Sequence, residues 1–164
     1  MKHSQQTVRC SLPTPLGPMT LAVRETALVW AGFDGQKHAP DRSAWPLSDA
    51  HPVLRLACEQ LQQYFASERK AFDIPLDLGS GTAFQQSVWH SLLGILPGTT
   101  CSYATISQLI GKAKAVRAVG GAVGRNPISI IVPCHRVVGS NGALTGYAGG
   151  IDRKVALLQL ESCT

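Results

Sequence analysis

A proline falls in the middle of the apolar run Ile130-Ile131-Val132-Pro133-Cys134-His135-Arg136-Val137, and it limits what the chain can build there. Proline offers no N–H to a ladder and fixes its own φ, so a strand entering over residues 130–132 must end in a turn at Pro133. A turn also releases the next two side chains from the strict alternation of a strand. Cys134 and His135 can then act together, directly or through a water. Sulfur attacks as thiolate, and an ordinary cysteine with a pKa near ~8.5 is only a few per cent ionised at neutral pH. A neighbouring base that brings this pKa toward neutrality removes at most about 2 kcal/mol of the deprotonation cost. His135 is the candidate base. Taken alone, the dipeptide fits a buried structural cysteine beside a satisfied histidine equally well.

The rest of the chain supplies context. Its 164 residues, 45% of them hydrophobic, can bury one medium core or two small ones. The polar start lacks the apolar segment of a signal peptide, and no apolar run approaches the ~18 residues of a membrane span. These features point to a soluble, cytoplasmic protein with no membrane partner. Cys10, Cys58, Cys101, Cys134 and Cys163 are odd in number and scattered, with no Cys-x-x-Cys pair. Reduced thiols and no structural metal are expected. The net charge of +5 arises wholly after Ser80, where Lys112, Lys114, Arg117, Arg125, Arg136, Arg153 and Lys154 face only Asp152 and Glu161. A cationic half beside a neutral one favours a polyanion, nucleic acid first, with a solubilising surface as the alternative.

Local patterning divides the chain at the same place. Residues 20–24 and 27–31 read as strands of a hairpin, preceded by the breaker Pro13-Thr14-Pro15-Leu16-Gly17-Pro18. Pro52 sits where a helix begins, and Leu54, Ala57, Cys58, Leu61 and Phe65 recur at helical spacing. Asp77-Leu78-Gly79-Ser80-Gly81 reads as a linker, which sets a boundary between residues 1–78 and 79–164. Beyond it, Thr82 and Gln85 have capping-box spacing ahead of Phe84, Val88, Trp89 and Leu92 on one face, until Leu96-Pro97-Gly98 stops the helix. Two further helices, over 104–110 and 113–124, flank Gly111 as a helix-turn-helix. The second is built of small residues apart from Lys114 and Arg117. It can pack tightly inside the domain, or approach DNA by shape with Arg117 as its one long probe.

Phe84-Gln85 with Val88-Trp89, Ser102-Tyr103, Arg117-Ala118-Val119-Gly120, Asn126-Pro127, Pro133-Cys134-His135-Arg136-Val137, Gly146-Tyr147 with Gly149-Gly150, and Leu157-Leu158 before Glu161 follow one another in this order. In this set the chain resembles the O6-alkylguanine-DNA alkyltransferases, most closely the stand-alone bacterial form. The resemblance implies an α+β fold: a small N-terminal ribonuclease-H-like domain and a mainly helical C-terminal domain with a winged helix-turn-helix-like DNA-binding motif. It implies that Cys134 takes the alkyl group from O6-alkylguanine, and from O4-methylthymine, in double-stranded DNA after base flipping. His135 would accept the thiol proton through a water, Glu161 would orient the imidazole, and Asn126 would hold carbonyls of the turn. Arg117 would fill the gap beside the orphaned base, with Ala118, Gly120, Lys114 and Arg125 on the DNA. Tyr103 would help rotate the nucleotide and contact the guanine ring, while Val137, Tyr147, Ala148 and Gly149 would shape the pocket. One departure stands out: Ala148 replaces a serine found in several relatives and can offer only its backbone N–H to the substrate oxygen.

A thioether does not hydrolyse, so the resemblance implies a protein that acts once, as a monomer. It needs no cofactor and no small-molecule methyl donor, because the DNA itself supplies the alkyl group. The alternative is a sensor of alkylated DNA without chemistry, although such relatives typically carry tryptophan where this chain has Cys134. A thiol hydrolase leaves the basic half without a role.

Overall fold

The computed structural model describes residues 6–162. Most of the polar start and Cys163 lie outside the described residues. Three antiparallel strands open the chain: β1 (Val8–Leu12), β2 (Met19–Arg24) and β3 (Ala27–Phe33), with β2 in the middle. The expected hairpin is β2–β3, one residue longer at its start and two at its end. β1 is an addition to the sequence reading. Every residue of β2 before Arg24 is buried, as befits a central strand covered on both faces. One face packs against α1 (Pro52–Phe65), whose Leu54, Ala57 and Leu61 are buried. Over the other face the loop after β3 folds back, and Arg42 Nη1 reaches both Thr20 Oγ1 (2.7 Å) and Asp34 Oδ1 (2.8 Å). Pro52 opens α1 behind His51, whose ring Nδ1 accepts from Val53 N–H.

Four helices follow: α2 (Ala83–Leu92), α3 (Tyr103–Leu109), α4 (Val116–Gly124) and α5 (Ile151–Ser162). The capping box on α2 is present in full, with Thr82 and Gln85 satisfying each other's backbone N–H. Trp89 of α2 donates its indole N–H to Ala122 O of α4 at 2.8 Å and is buried. Gly81 is needed beneath that ring, because a Cβ there would lie 2.3 Å from it. α3 and α4 form the expected helix-turn-helix, with Gly111 at φ +73° in the turn. α4 is shorter than predicted and starts at Val116, since residues 112–115 form a turn closed by Ala115 N–H to Lys112 O. Buried side chains from both halves, including Leu21, Phe33 and Leu61 with Trp89, Val132 and Leu157, make one continuous core.

Two contacts place the region around Cys134. The free edge of β3 receives residues 127–129: Ala31 N–H donates to Pro127 O (2.9 Å) and Ser129 N–H to Ala31 O (2.8 Å). A two-residue parallel pair, β4 (Cys101–Ser102) with β5 (Val137–Val138), then ties the start of α3 to the residues just after the cysteine.

Residues 130–132 are not the strand expected from their apolar character. They form a chain of turns, with Ile131 N–H to Ser129 O, Val132 N–H to Ile128 O and Cys134 N–H to Val132 O, and with Ile130 at φ +74°. Their apolar side chains face protein on all sides, which a short buried turn demands as much as a buried strand does.

Candidate active site

Cys134 and His135 lie in a single 3₁₀ turn, Cys134–Arg136, directly after Pro133. Asn126, just past the end of α4, holds the approach to it. Its Nδ2 donates to Val132 O (2.7 Å) and Ile128 O (3.3 Å), and its Oδ1 accepts from Ile128 N–H (3.0 Å). One amide thus fastens the turn to the end of α4.

His135 is fully buried. Its Nε2 lies 2.9 and 3.0 Å from the two carboxylate oxygens of Glu161 on α5. Burial lowers the imidazole pKa despite Glu161, and the charges of Arg136 and Lys154 lower it further. The ring is therefore neutral at pH 7, and the anion at Nε2 fixes the proton there. Nδ1 is left with its lone pair, and it has no protein partner. Burial would raise the Glu161 carboxyl, but the hydrogen bonds and charges of Arg136 and His135 outweigh it and bring the pKa down to about 2. Arg136 is buried and grips Glu161 with Nε (2.8 Å to Oε1) and Nη2 (2.7 Å to Oε2), while Nη1 donates to Ile95 O. Tyr64 of α1 completes the set, its hydroxyl donating to Glu161 Oε2 at 3.0 Å.

Burial raises the Cys134 thiol above its ordinary pKa, with the Asn126 amide and the Lys154 ammonium pulling the other way. At rest the sulfur therefore keeps its proton, and a base must take it at the moment of reaction. Lys154 is buried as well, donating from Nζ to Val137 O and Thr145 O (2.6 and 2.8 Å). Its ammonium holds β5 against the loop that follows.

That loop forms a wall. Tyr103, the first residue of α3, donates its hydroxyl to Thr145 O at 3.0 Å. Gly149 is required beside Tyr147, since a Cβ would lie 2.7 Å from the ring. Tyr147 is buried with its hydroxyl unpartnered; among the described residues, that atom and His135 Nδ1 are the buried side-chain polar atoms lacking a protein partner. Buried polar groups are nearly always paired, so the open lone pair of His135 Nδ1, one residue on from Cys134 in the same turn, stands out. Val137 and Gly149 are buried and Ala148 is half-buried, its carbonyl accepting from Lys37 N–H.

The basic residues separate into two groups. Arg136 and Lys154 are interior, and Arg153 stacks on Phe33 at 4.4 Å. Lys112, Lys114, Arg117 and Arg125 are exposed on or beside the α3–α4 unit, as is Ala118, with Gly120 half-buried against Tyr103. Sequence reading missed Tyr64, Arg136 and Lys154 as parts of the site. Tyr64 had a signal, because 54, 57, 61 and 64 continue one helical face. The other two looked like surface charge.

The ribonuclease-like domain of 6-O-methylguanine DNA methyltransferase matches residues 8–78, and the DNA-binding domain of 6-O-methylguanine DNA methyltransferase matches residues 83–163. The chain belongs to the 6-O-methylguanine DNA methyltransferase family. It is 49% identical over 151 residues to the methylated-DNA–protein-cysteine methyltransferase of Mycobacterium tuberculosis, covering 92% of this chain and 90% of that protein. The protein of the same name from Methanosarcina acetivorans is also 49% identical, over 92% of this chain and 96% of its own length. The crystal structure of the M. tuberculosis protein in complex with DNA superposes with a TM-score of 0.86 at 48% identity, covering 93% of this chain and 91% of that one. These likenesses bear out the α+β fold, with its N-terminal ribonuclease-like and C-terminal helical DNA-binding domains. Among the described residues, no helix is long and apolar enough to cross a membrane.

Proposed function

We propose that this protein repairs alkylated double-stranded DNA by direct reversal, moving the alkyl group from O6 of guanine, and from O4 of thymine, to Cys134 once and irreversibly. The observation that carries this reading is a buried Cys134 followed, in the same turn, by an imidazole whose Nε2 is locked onto Glu161 and whose Nδ1 has no protein partner. Nδ1 takes the thiol proton through a bridging water. Sulfur then bonds to the alkyl carbon as the carbon–oxygen bond breaks, the electron pair leaves on the guanine oxygen, and the freed base regains a proton. Glu161 and Arg136 together are close to neutral, so they orient the imidazole without making it hold the proton too tightly. The thioether product has no leaving group for water to displace, so the protein acts stoichiometrically.

The exposed face of α4 supports the DNA half of the reading. Ala118 and Gly120 allow close approach of the groove, Lys114 and Arg125 supply phosphate contacts, and Arg117, exposed on α4, takes the place of the extruded nucleotide. Ala115, at the start of α4, offers no side-chain cap, so first-turn N–H groups remain available to phosphate. Tyr103 contacts the flipped guanine, and backbone groups at Val137, Ala148 and Gly149 line its pocket beside Tyr147. Residues 1–78 form the supporting unit and 79–164 the unit that binds and reacts. The protein works as a monomer in the cytoplasm, with DNA as its alkyl donor in place of any small molecule.

The test is stoichiometry. Duplex carrying a tritiated O6-methylguanine is mixed with increasing protein. The reading predicts label moving to protein at one methyl per chain, with no turnover when DNA is in excess. Tight binding with all label left on the DNA would instead make the protein a sensor.

A further inference from the structure

Glu161 lies on α5 near the end of the chain, yet one of its hydrogen-bond donors comes from 97 residues earlier, the hydroxyl of Tyr64 on α1. A carboxylate has about four lone-pair sites. Arg136 takes both oxygens from one side, and His135 Nε2 sits nearly midway between them at 3.0 and 2.9 Å. What remains is the side of Oε2 that faces α1, and the Tyr64 hydroxyl fills it. Neighbouring aromatics hold the tyrosine in place, with its ring edge-on against Phe65 (5.4 Å between centroids) and tilted against Phe72 (5.5 Å). Burial, then Glu161, holds the phenol pKa above its ordinary value, so the hydroxyl keeps its proton and donates it to Glu161.

We infer that Tyr64 is a positioning residue for alkyl transfer, through which the ribonuclease-like half sets the orientation and basicity of the Glu161–His135 pair. The inference rests on the repair reading above. A carboxylate held by Arg136 alone can swing about the guanidinium plane; the third donor fixes the plane in which it meets His135 Nε2, and thereby where Nδ1 points. By sharing the carboxylate's charge, the hydroxyl also weakens the pull of Glu161 on an imidazolium. Other charged or titratable groups face this pair from each neighbouring element. They are Arg136 in the turn, Lys154 on α5, Tyr147 in the loop before α5, and Arg69 and Lys70, which line the crevice beside Tyr64 and Glu161. Arg136 and Lys154 disfavour an imidazolium, and none of these groups is altered when only the hydroxyl is removed.

The test is Tyr64→Phe, which deletes one oxygen and leaves the ring packing in place. Single-turnover transfer from O6-methylguanine duplex should slow by about five- to tenfold, the kinetic equivalent of about one hydrogen bond. The acid limb of its pH profile should move to higher pH, because an unshared carboxylate favours protonated His135. The same upward move should appear in the His135 titration followed by NMR on the DNA-free protein. Phe72→Leu serves as the control: it loosens the same packing without touching Glu161, and should lower the melting temperature while leaving the pH profile where it was. An unchanged rate and an unmoved His135 titration in Tyr64→Phe would overturn the inference, as would an equal profile shift in Phe72→Leu. If the wild-type protein transfers nothing, the repair reading fails, and the NMR titration still decides whether Tyr64 tunes His135.

Discussion

The turn carrying Cys134 and the outer face of α4 are joined by Asn126, yet they are built on opposite principles. Around the turn, the charged groups are interior and held: Arg136, His135 and Tyr64 converge on Glu161, and Lys154 and Asn126 hold backbone carbonyls, while His135 Nδ1 and the Tyr147 hydroxyl stay open. On α4 the exposed positions carry Val116, Arg117, Ala118 and Gly121, one long cation among small residues. Chemistry that needs a reacting atom placed within a fraction of an ångström is built where packing and hydrogen bonds over-determine geometry. Recognition of a long, uniform polyanion needs access and charge, and bulk would obstruct it. Substitutions in the two regions should therefore fail in different ways.

Cys134→Ser should have the largest effect on chemistry and little on binding. A serine hydroxyl is a far weaker nucleophile than a thiolate, so transfer should fall below detection in a single-turnover assay while duplex affinity stays within about twofold. Glu161→Gln should damage both chemistry and stability. It leaves Arg136 buried without its anion, an arrangement that costs about 3–5 kcal/mol, and removes the group that fixes the His135 tautomer. A fall in chemical-denaturation stability of that size alongside slowed transfer is the expected result, and a neutral effect on both would break the contrast drawn here.

The same cluster sets an acid limit. Glu161 has a folded-state pKa of about 2, below its unfolded value near ~4.3. Its contribution is therefore fully present above that unfolded value and is lost as pH falls toward 2. His135, whose pKa is also lowered by folding, acts with the same sign: its contribution is present above ~6.5 and declines below. Stability measured from pH 7 downward should drop in two stages, and Glu161→Gln should erase the lower one.

Effects on the α4 face should be smaller and selective. Arg117→Ala should slow repair of duplex by about ten- to a hundredfold, consistent with a few kcal/mol of help in extruding a base, and repair of single strands much less. Lys114→Ala and Arg125→Ala should each weaken binding to any sequence and reduce the slope of log affinity against log salt by about 1, with the transfer step unchanged at saturation. A change in saturated transfer rate from either substitution would show that the two regions are not separable.

Much of this fold could be read from the sequence where signals are local. The β2–β3 hairpin, the apolar face of α1 and the capping box of α2 lie within a few residues of the patterns that specify them. β1 also alternates, with Val8, Cys10 and Leu12 against Arg9 and Ser11, but five residues ahead of a proline-rich breaker are a thin signal. Residues 130–132 misled because a short apolar run specifies burial without specifying conformation. In the site, Cys134, His135 and Asn126 stand within nine residues of one another and could be found together. Tyr64, Arg136 and Lys154 could not be assigned, because whether a charge or a hydroxyl ends inside or outside depends on partners far along the chain, and Tyr64 meets Glu161 only once both halves share a core.

Peptide mapping by mass spectrometry after reaction with O6-methylguanine duplex reports on the sulfur itself. One added methyl group should be found on the peptide containing Cys134, with Cys10, Cys58 and Cys101 unmodified and guanine restored in the DNA. Restored guanine with an unmodified Cys134, or a methyl group carried by another residue, would contradict the assignment.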